Sequence, residues 1–150
     1  MDCDGVLTDG RLYFSSAGEV MKVFDVRDGQ GIVSWHRAGF KSGIISGRGG
    51  RDIIQKRAAE LGIEFVRVQS ANKVRDFEEI IFSLGINAEE VAYIGDDIGD
   101  VELMKRVALP IAVADAVPQT KTAAKYITRA NGGRGAVREV VDMLLDGERE

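Results

Sequence analysis

Residues 91–100 read VAYIGDDIGD, an apolar run that ends in three carboxylates. A short apolar run of this kind is typical of a buried strand, and the acidic residues after it open into a helical pattern. Similar runs alternate with amphipathic stretches along the whole chain, which is the pattern of βαβ units. We therefore predict an α/β fold with a parallel sheet flanked by helices, in which the side chains that follow the strands gather at one edge.

The remaining elements follow from the same periodicities. Strands are predicted over residues 40–46, 64–68, 91–95 and 109–114, with a weaker one at 126–128. Apolar residues repeat with helical spacing over 74–84 and 137–145, and Gly62 and Gly85 stand where helices should end.

Length and charge limit what the chain can be. Its 150 residues predict a single domain over 1–150. The formal net charge of −4 and the scattered lysines and arginines argue against a nucleic-acid partner. No apolar run is long enough to cross a membrane, so we expect a cytoplasmic protein. Cys3 is the only cysteine, which excludes an intrachain disulfide and a cysteine-based metal site.

One insertion interrupts the alternation, at about residues 11–25. RLYF, SSAGE and VMKVFDV are typical of two short strands around a glycine-containing turn, which predicts a β-hairpin. A lone hairpin is marginally stable in water, so its apolar residues, Leu12, Phe14, Val20 and Phe24, need a partner. A second copy of the chain is one candidate partner, and the hairpin's own sheet is the other.

The first ten residues, MDCDGVLTDG, supply a second acidic group. On an extended strand Asp2 and Asp4 would face the same side, and Gly5 would let the chain turn. Two carboxylates placed there repel each other unless a hard cation such as Mg²⁺, which prefers oxygen ligands, lies between them. The alternative is that both aspartates are only turn residues.

Two further groups could bind a phosphoryl group. Ser46, Gly47 and Arg48 stand at the end of the predicted strand at 40–46, and Lys73 begins a helix. A hydroxyl, adjacent backbone N–H groups and an ammonium are the donors that phosphoryl oxygens need. Arg48 could bind a substrate carboxylate or phosphate, or it could form a surface ion pair. The glycine-rich loop at 132–135 could likewise hold an anion or cap the last helix.

In this order, DCDGVLTDG, IISGR, Lys73, GDDIGD and NGGRGAVREVVD resemble the motifs of the haloacid dehalogenase (HAD) superfamily of phosphohydrolases. The last motif is similar to one branch, the capless 3-deoxy-D-manno-octulosonate (KDO) 8-phosphate phosphatases. The resemblance covers essentially the whole chain. It implies a Rossmann-like HAD core with no cap domain and Mg²⁺-dependent hydrolysis of a phosphorylated sugar acid, KDO 8-phosphate above all. It also implies a homotetramer in which the hairpins meet and a neighbour helps to close the site.

The resemblance also implies a role for each candidate residue. Asp2 would be the nucleophile that forms an aspartyl-phosphate, and Asp4 would be the general acid and base. Mg²⁺ would be held by the Asp2 carboxylate, the Asp4 backbone carbonyl and Asp96. Ser46 and Lys73 would bind the phosphoryl oxygens. The supporting and substrate-binding assignments are Asp97 and Asp100 around the metal and the lysine, and Gly47, Arg48 and Arg134 at the substrate.

Two other functions are alternatives to this one. A nine-carbon sugar acid 9-phosphate, of the sialic acid or KDN type, would undergo the same chemistry. A non-catalytic HAD-like module would serve oligomerisation alone. In addition, only Met1 precedes Asp2, whereas the family has an apolar strand there. We therefore expect either that the natural start lies further upstream or that the protein as given is unstable or poorly active.

Overall fold

The computed structural model describes residues 1–50 and 52–147. The elements within these ranges are β1 (Tyr13–Ser15), β2 (Gly18–Met21), α1 (Val26–Arg37), β3 (Gly43–Ile45), α2 (Ile53–Leu61), β4 (Phe65–Arg67), α3 (Lys73–Leu84), a 3₁₀ turn (Ala88–Glu90), β5 (Ala92–Gly95), α4 (Ile98–Met104), β6 (Leu109–Ala112), α5 (Pro118–Ala123), β7 (Tyr126–Ile127) and α6 (Ala136–Gly147). None of these helices is long and apolar enough to span a membrane.

The main sheet is parallel, and the first two residues of the chain join its halves. β3 pairs with β4, while β6 pairs with both β5 and β7. Met1 hydrogen bonds to β3 on one side, donating to Gly43 O and accepting from Ile45 N, both at 3.0 Å. On the other side Asp2 N donates to Ile94 O at 3.0 Å. The strand order is therefore β4, β3, the Met1–Asp2 segment, β5, β6, β7, which confirms the predicted parallel sheet and places Asp2 between the ends of β3 and β5.

Helices cover both faces of this sheet. Alternate residues of a strand point to opposite faces, and Ile44 and Ile45 accordingly belong to different apolar clusters. One cluster packs α1, α2 and α6 against the sheet, and the other packs α3 and α4. These two layers hold the strands in place, so the strand ends form a rigid edge.

A cavity of about 600 Å³ interrupts the core between β3 and β5. Met1 lies at one end of the cavity, and its walls come from α1, α3 and α6 together with the two strands. In a strand, the N–H and C=O groups of one residue point to the same side. The carbonyls of Gly43 and Ile94 bond to the Met1–Asp2 segment, so the N–H groups of these two residues face the cavity. The cavity is therefore lined by backbone donors as well as by apolar side chains.

The predicted strands are present, but each is shorter than the apolar run that predicted it. The run at 40–46, for example, yields β3 at Gly43–Ile45 only. Gly62 and Gly85 end α2 and α3 in the left-handed conformation, with φ of 74° and 65°, as predicted. Some apolar residues outside these segments still hydrogen bond to a neighbouring strand, as Val113 N does to Gly95 O at 3.2 Å, whereas Phe40 stacks on Trp35 of α1.

Two predictions about local structure were wrong. The second hairpin arm, predicted to continue through 20–26, ends at Met21, because Asp25 caps α1 by accepting from Arg27 N at 2.7 Å. The opening motif does not continue as a strand past Asp2. The N–H groups of Leu7 and Thr8 instead bond to Cys3 O, at 2.9 and 3.1 Å, and wind the chain into turns.

Candidate active site

The two acidic strand ends meet at one edge of the sheet. Carboxylate oxygens of Asp2, Asp96 and Asp100 all lie within 4.8 Å of one another. Asp2 ends the segment between β3 and β5, Asp96 follows β5, and Asp100 lies in the first turn of α4. Asp2 and Asp100 are buried. The structure therefore brings together three of the residues that were predicted to gather at the strand ends.

Lys73 faces this cluster from the first turn of α3. Its Nζ lies 3.0 Å from Asp2 Oδ1 and 2.7 Å from Asp100 Oδ1. Asn72 fixes the start of the helix by accepting from Arg75 N at 3.0 Å. Burial works against the charge on Lys73, but Asp2 and Asp100 outweigh it and hold the pKa of the ammonium above its ordinary value.

Asp100 organises the cluster. Its Oδ1 accepts from Lys73 Nζ and from the Tyr93 hydroxyl, each at 2.7 Å. Its Oδ2 accepts from the backbone N–H groups of Asp96 and Asp97, at 3.0 and 3.3 Å. Asp97 in turn caps α4 by accepting from Ile98 N at 2.7 Å. Both oxygens of Asp100 are thus engaged within the protein, which is the arrangement of a supporting residue.

The remaining carboxylates suit a divalent cation. Asp96 Oδ1 and Asp2 Oδ1 are buried, and no described residue forms an aligned hydrogen bond to either, although Lys73 lies close to the second. Burial, followed by the charges of Asp2 and Asp100, raises the pKa of Asp96 to about 8, and burial likewise raises the pKa of Asp2. Gly5 permits this crowding, because a Cβ at its φ of +91° would overlap the Asp96 carboxylate. A hard cation would offset the repulsion between the two carboxylates.

Asp4 lies beside this cluster and has different partners. One of its carboxylate oxygens, Oδ1, is paired with Lys22 of the hairpin, and Ser46 Oγ lies 3.5 Å from the other oxygen, Oδ2. The expectation that Asp2 and Asp4 project side by side from a strand was therefore wrong, because the chain turns after Asp2. Lys22 was missed in the sequence. The signal available was a lysine within the apolar run VMKVF, where a buried charge requires a partner.

The residues after β3 form a tight turn next to Asp4. Ser46 is buried, and its Oγ accepts from Arg48 N at 3.2 Å. Gly47 is exposed, and a Cβ there would meet no atom. Arg48 Nη2 lies 3.6 Å from Glu19 Oε2, so its partner in the structure is a hairpin carboxylate.

The glycine-rich loop at 132–135 packs on the opening motif. Gly133 N donates to Val6 O at 2.8 Å, and Arg134 Nη2 lies 3.6 Å from Asp9 Oδ2. The start of α6 is capped from elsewhere: Asp28 accepts from Gly135 N at 3.2 Å and from Arg138 N at 2.8 Å. The loop thus buttresses the turn after Asp2, and the exposed Arg134 side chain lies on the Asp9 side of that turn.

Comparisons with known proteins agree with this geometry. A family model described as haloacid dehalogenase-like hydrolase matches residues 62–140. The chain is 45% identical over 145 residues to the 3-deoxy-D-manno-octulosonate 8-phosphate phosphatase of Escherichia coli K12, covering 97% of this chain and 77% of the relative. It is 43% identical over 144 residues to the phosphatase of the same name from Yersinia pestis, covering 96% and 76%.

Solved structures show the same likeness. The crystal structure of the Yersinia pestis phosphatase has a TM-score of 0.95 at 42% identity, covering 99% of this chain and 80% of that one. The phosphatase of Moraxella catarrhalis, solved in complex with magnesium ion, phosphate ion and KDO, has a TM-score of 0.93 at 36% identity, covering 97% and 83%. The cobalt-bound phosphatase of Haemophilus influenzae has a TM-score of 0.95 at 38% identity, covering 99% and 86%.

Proposed function

The chain belongs to the 3-deoxy-D-manno-octulosonate 8-phosphate phosphatase family of haloacid dehalogenase-like hydrolases, and from this membership we propose that it is a Mg²⁺-dependent phosphatase that hydrolyses KDO 8-phosphate. The observation that carries the proposal is the buried cluster of Asp2, Asp96 and Asp100 with Lys73 at the carboxyl edge of the sheet. A buried nucleophile beside a cation and open carboxylate oxygens is what phosphoryl transfer requires.

Asp2 and Asp4 have separate roles in the reaction, Asp2 as the nucleophile and Asp4 as the general acid and base. Asp2 attacks phosphorus, forming a bond between its carboxylate oxygen and phosphorus while the bond from phosphorus to the sugar oxygen breaks. Asp4 gives a proton to the departing sugar oxygen. Asp4 then takes a proton from the water that attacks the aspartyl-phosphate, and inorganic phosphate leaves as Asp2 is restored. The position of Ser46 next to Asp4 Oδ2 supports placing the phosphoryl group between these residues.

The metal-binding residues in this proposal are the Asp2 carboxylate, the Asp4 backbone carbonyl and Asp96. Bound there, Mg²⁺ supplies positive charge that offsets the repulsion between Asp2 and the phosphoryl oxygens. The buried Oδ1 atoms of Asp2 and Asp96, which accept no aligned hydrogen bond from the described residues, support this assignment. Asp100 and Asp97 position the set, Asp100 by holding Lys73 and the N–H groups that follow β5.

The other predicted residues bind the substrate. Ser46 and Lys73 contact the phosphoryl oxygens, and the exposed backbone of Gly47 offers a further donor. Arg48 and Arg134 are the cations that bind the sugar acid. Both guanidinium groups are partly exposed, and each has its carboxylate partner as far away as 3.6 Å, so a substrate carboxylate can compete for them.

The enzyme acts in the cytoplasm as a homotetramer built through the hairpin. The hairpin and the segment after it expose large apolar side chains, which are Leu12, Phe14, Val20, Met21 and Val23. A patch of this kind on a small domain favours association between copies. The substrate carries both a carboxylate and a phosphate and does not cross membranes, which supports a cytoplasmic substrate pool.

The experiment that tests this function is phosphate release from KDO 8-phosphate, from nine-carbon sugar acid 9-phosphates and from simple sugar phosphates, with Mg²⁺ and with EDTA. We expect Mg²⁺-dependent release with the highest kcat/KM for KDO 8-phosphate. An exposed substitution, Asp142→Asn, is the control and should keep the wild-type rate. A preference for a nine-carbon substrate would change the substrate assignment, and no release from any substrate by folded protein would favour a non-catalytic module.

A further inference from the structure

Lys22 is a buried lysine that reaches the active site from outside all the motifs predicted from sequence. Its side chain is 0% exposed, and its Nζ donates to Asp4 and, at 2.8 Å, to Glu19 Oε1. Burying an ammonium is costly unless carboxylates surround it. Lys22 therefore has a fixed position, set by two partners of opposite charge.

Glu19 holds Lys22 from the hairpin side. Glu19 is buried, and its second oxygen lies 3.6 Å from Arg48 Nη2. On the opposite side of Lys22, Gly50 closes over the aliphatic stem, since a Cβ at this glycine would meet Lys22 Cε. The ammonium is thus held between the hairpin and the loop after β3, and Asp4 is its only contact in the catalytic set that the described residues form.

We propose that Lys22, anchored by Glu19, is a positioning residue for the general acid and base Asp4. Lys22 holds Asp4 Oδ1, which leaves Oδ2 directed towards Ser46 Oγ and the phosphoryl group. The inference rests on the proposed function, and it assigns to the hairpin a role in the reaction that is separate from assembly. Asp2 and Asp4 would then each have a lysine as a charged neighbour, Lys73 and Lys22 respectively.

A comparison of leaving groups tests this role. The oxygen of a sugar phosphate needs a proton as it departs, whereas p-nitrophenolate leaves as a stable anion. We expect Lys22→Met to lower kcat/KM for the sugar phosphate at least about 30-fold and for p-nitrophenyl phosphate by less than about threefold, the same pattern as Asp4→Asn. Lys41→Met, which removes an exposed lysine, is the matched control and should change neither value.

Combining the variants provides a stricter test. Residues that act as one unit lose little more together than apart, so adding Lys22→Met to Asp4→Asn should lower kcat/KM by less than about threefold further. Equal losses on both substrates, or losses that multiply in the double variant, would overturn the proposal. Glu19→Gln is a milder variant that keeps the shape of the side chain, and it should show the same leaving-group pattern with a smaller loss.

A measurement without substrate separates this inference from the proposed function. Lys22→Met leaves the buried Glu19 and the partly buried Asp4 without their shared lysine and should lower the urea midpoint of unfolding. Asp4→Asn in the same chain should recover part of that loss, because it removes one of the unpaired charges. A double variant less stable than the sum of its single variants predicts would contradict the pairing. If the wild type prefers another phosphomonoester, the leaving-group comparison uses that substrate, so a wrong sugar does not hide the role of Lys22.

Discussion

Asp96 and Asp2 share a buried site in which the two carboxylates favour keeping a proton when no cation is bound. Burial and the charges of Asp2 and Asp100 raise the pKa of Asp96 from 3.8 to about 8. A carboxyl whose pKa is raised on folding contributes stability that is fully present below its ordinary pKa and is lost as the pH rises through the folded value. The metal-free protein should therefore lose stability as the pH rises from about 4 to about 8, because the Asp96 carboxyl keeps its proton in the folded protein over a range in which the unfolded chain has lost it.

Mg²⁺ should reverse this loss, since the cation binds the ionised carboxylates and displaces the proton. We predict that the rise in Tm caused by Mg²⁺, relative to EDTA, increases from pH 6 to pH 8 and then levels off. Thermal unfolding at a series of pH values, with and without Mg²⁺, measures this directly. An increase in Tm that is the same at every pH would show that no raised carboxyl pKa is linked to metal binding.

Asp100→Asn should cost both stability and activity. Each Asp100 oxygen accepts two hydrogen bonds. In asparagine an NH₂ group replaces one of these oxygens, and this group would face the two donors that the oxygen accepts from in the wild type. Leaving a buried donor unpaired costs about 1–3 kcal/mol in the free energy of unfolding. Urea unfolding should show this loss, whereas Asp142→Asn on the surface of α6 should stay within about 0.5 kcal/mol of wild type. Equal small effects for both variants would refute the supporting role of Asp100.

At the scale of single residues, the sequence predicted the convergence of Asp2, Asp96, Asp100 and Lys73, because parallel strands end at a common edge. It missed Lys22 because a contact between the hairpin and Asp4 depends on how the insertion packs, which no local periodicity encodes. It also predicted Asp2 and Asp4 as strand neighbours, and the turn after Asp2 gives them different partners instead.

At the scale of elements, the loop before α6 controls the shape of the opening motif. Gly132 lies so close to the opening motif that a Cβ would overlap Gly5 O. We predict that Gly132→Ala shifts the turn that carries Asp4, lowering kcat at least about tenfold and destabilising the fold by about 1–3 kcal/mol. Gly99→Ala, at a helical position with open space around it, is the stability control and should be neutral or stabilising by up to about 1 kcal/mol.

Steady-state kinetics and urea unfolding of the two glycine variants provide the comparison, and wild-type kcat in Gly132→Ala would contradict the close packing.

The order and type of the elements could be predicted from apolar periodicity, but their lengths could not. An apolar residue near a strand end can pack against a helix instead of pairing with a neighbouring strand. Asp25 caps α1 in a stretch where the apolar pattern predicted a strand.

At the scale of the whole molecule, we propose that the hairpin has one face for the active site and one for assembly. Glu19 and Lys22 face inward, whereas Phe14 is 62% exposed. We predict that Phe14→Glu breaks the proposed homotetramer into smaller species, because a charge in an apolar interface is costly. Phe82→Glu, at an 86% exposed phenylalanine on α3, is the matched control and should leave the assembly intact. Light scattering after size-exclusion chromatography measures the mass, and an unchanged mass for Phe14→Glu would place the interface elsewhere.

The covalent role of Asp2 is the central claim for the whole enzyme, and trapping the phosphorylated protein tests it most directly. Wild-type protein is mixed with KDO 8-phosphate labelled at phosphorus, in the presence of Mg²⁺, and is quenched in acid within one turnover before peptide mapping. We predict label on the peptide that contains Asp2 and no label in Asp2→Asn, which should also release no phosphate. Label at another residue, or phosphate release by folded Asp2→Asn at the wild-type rate, would contradict this mechanism.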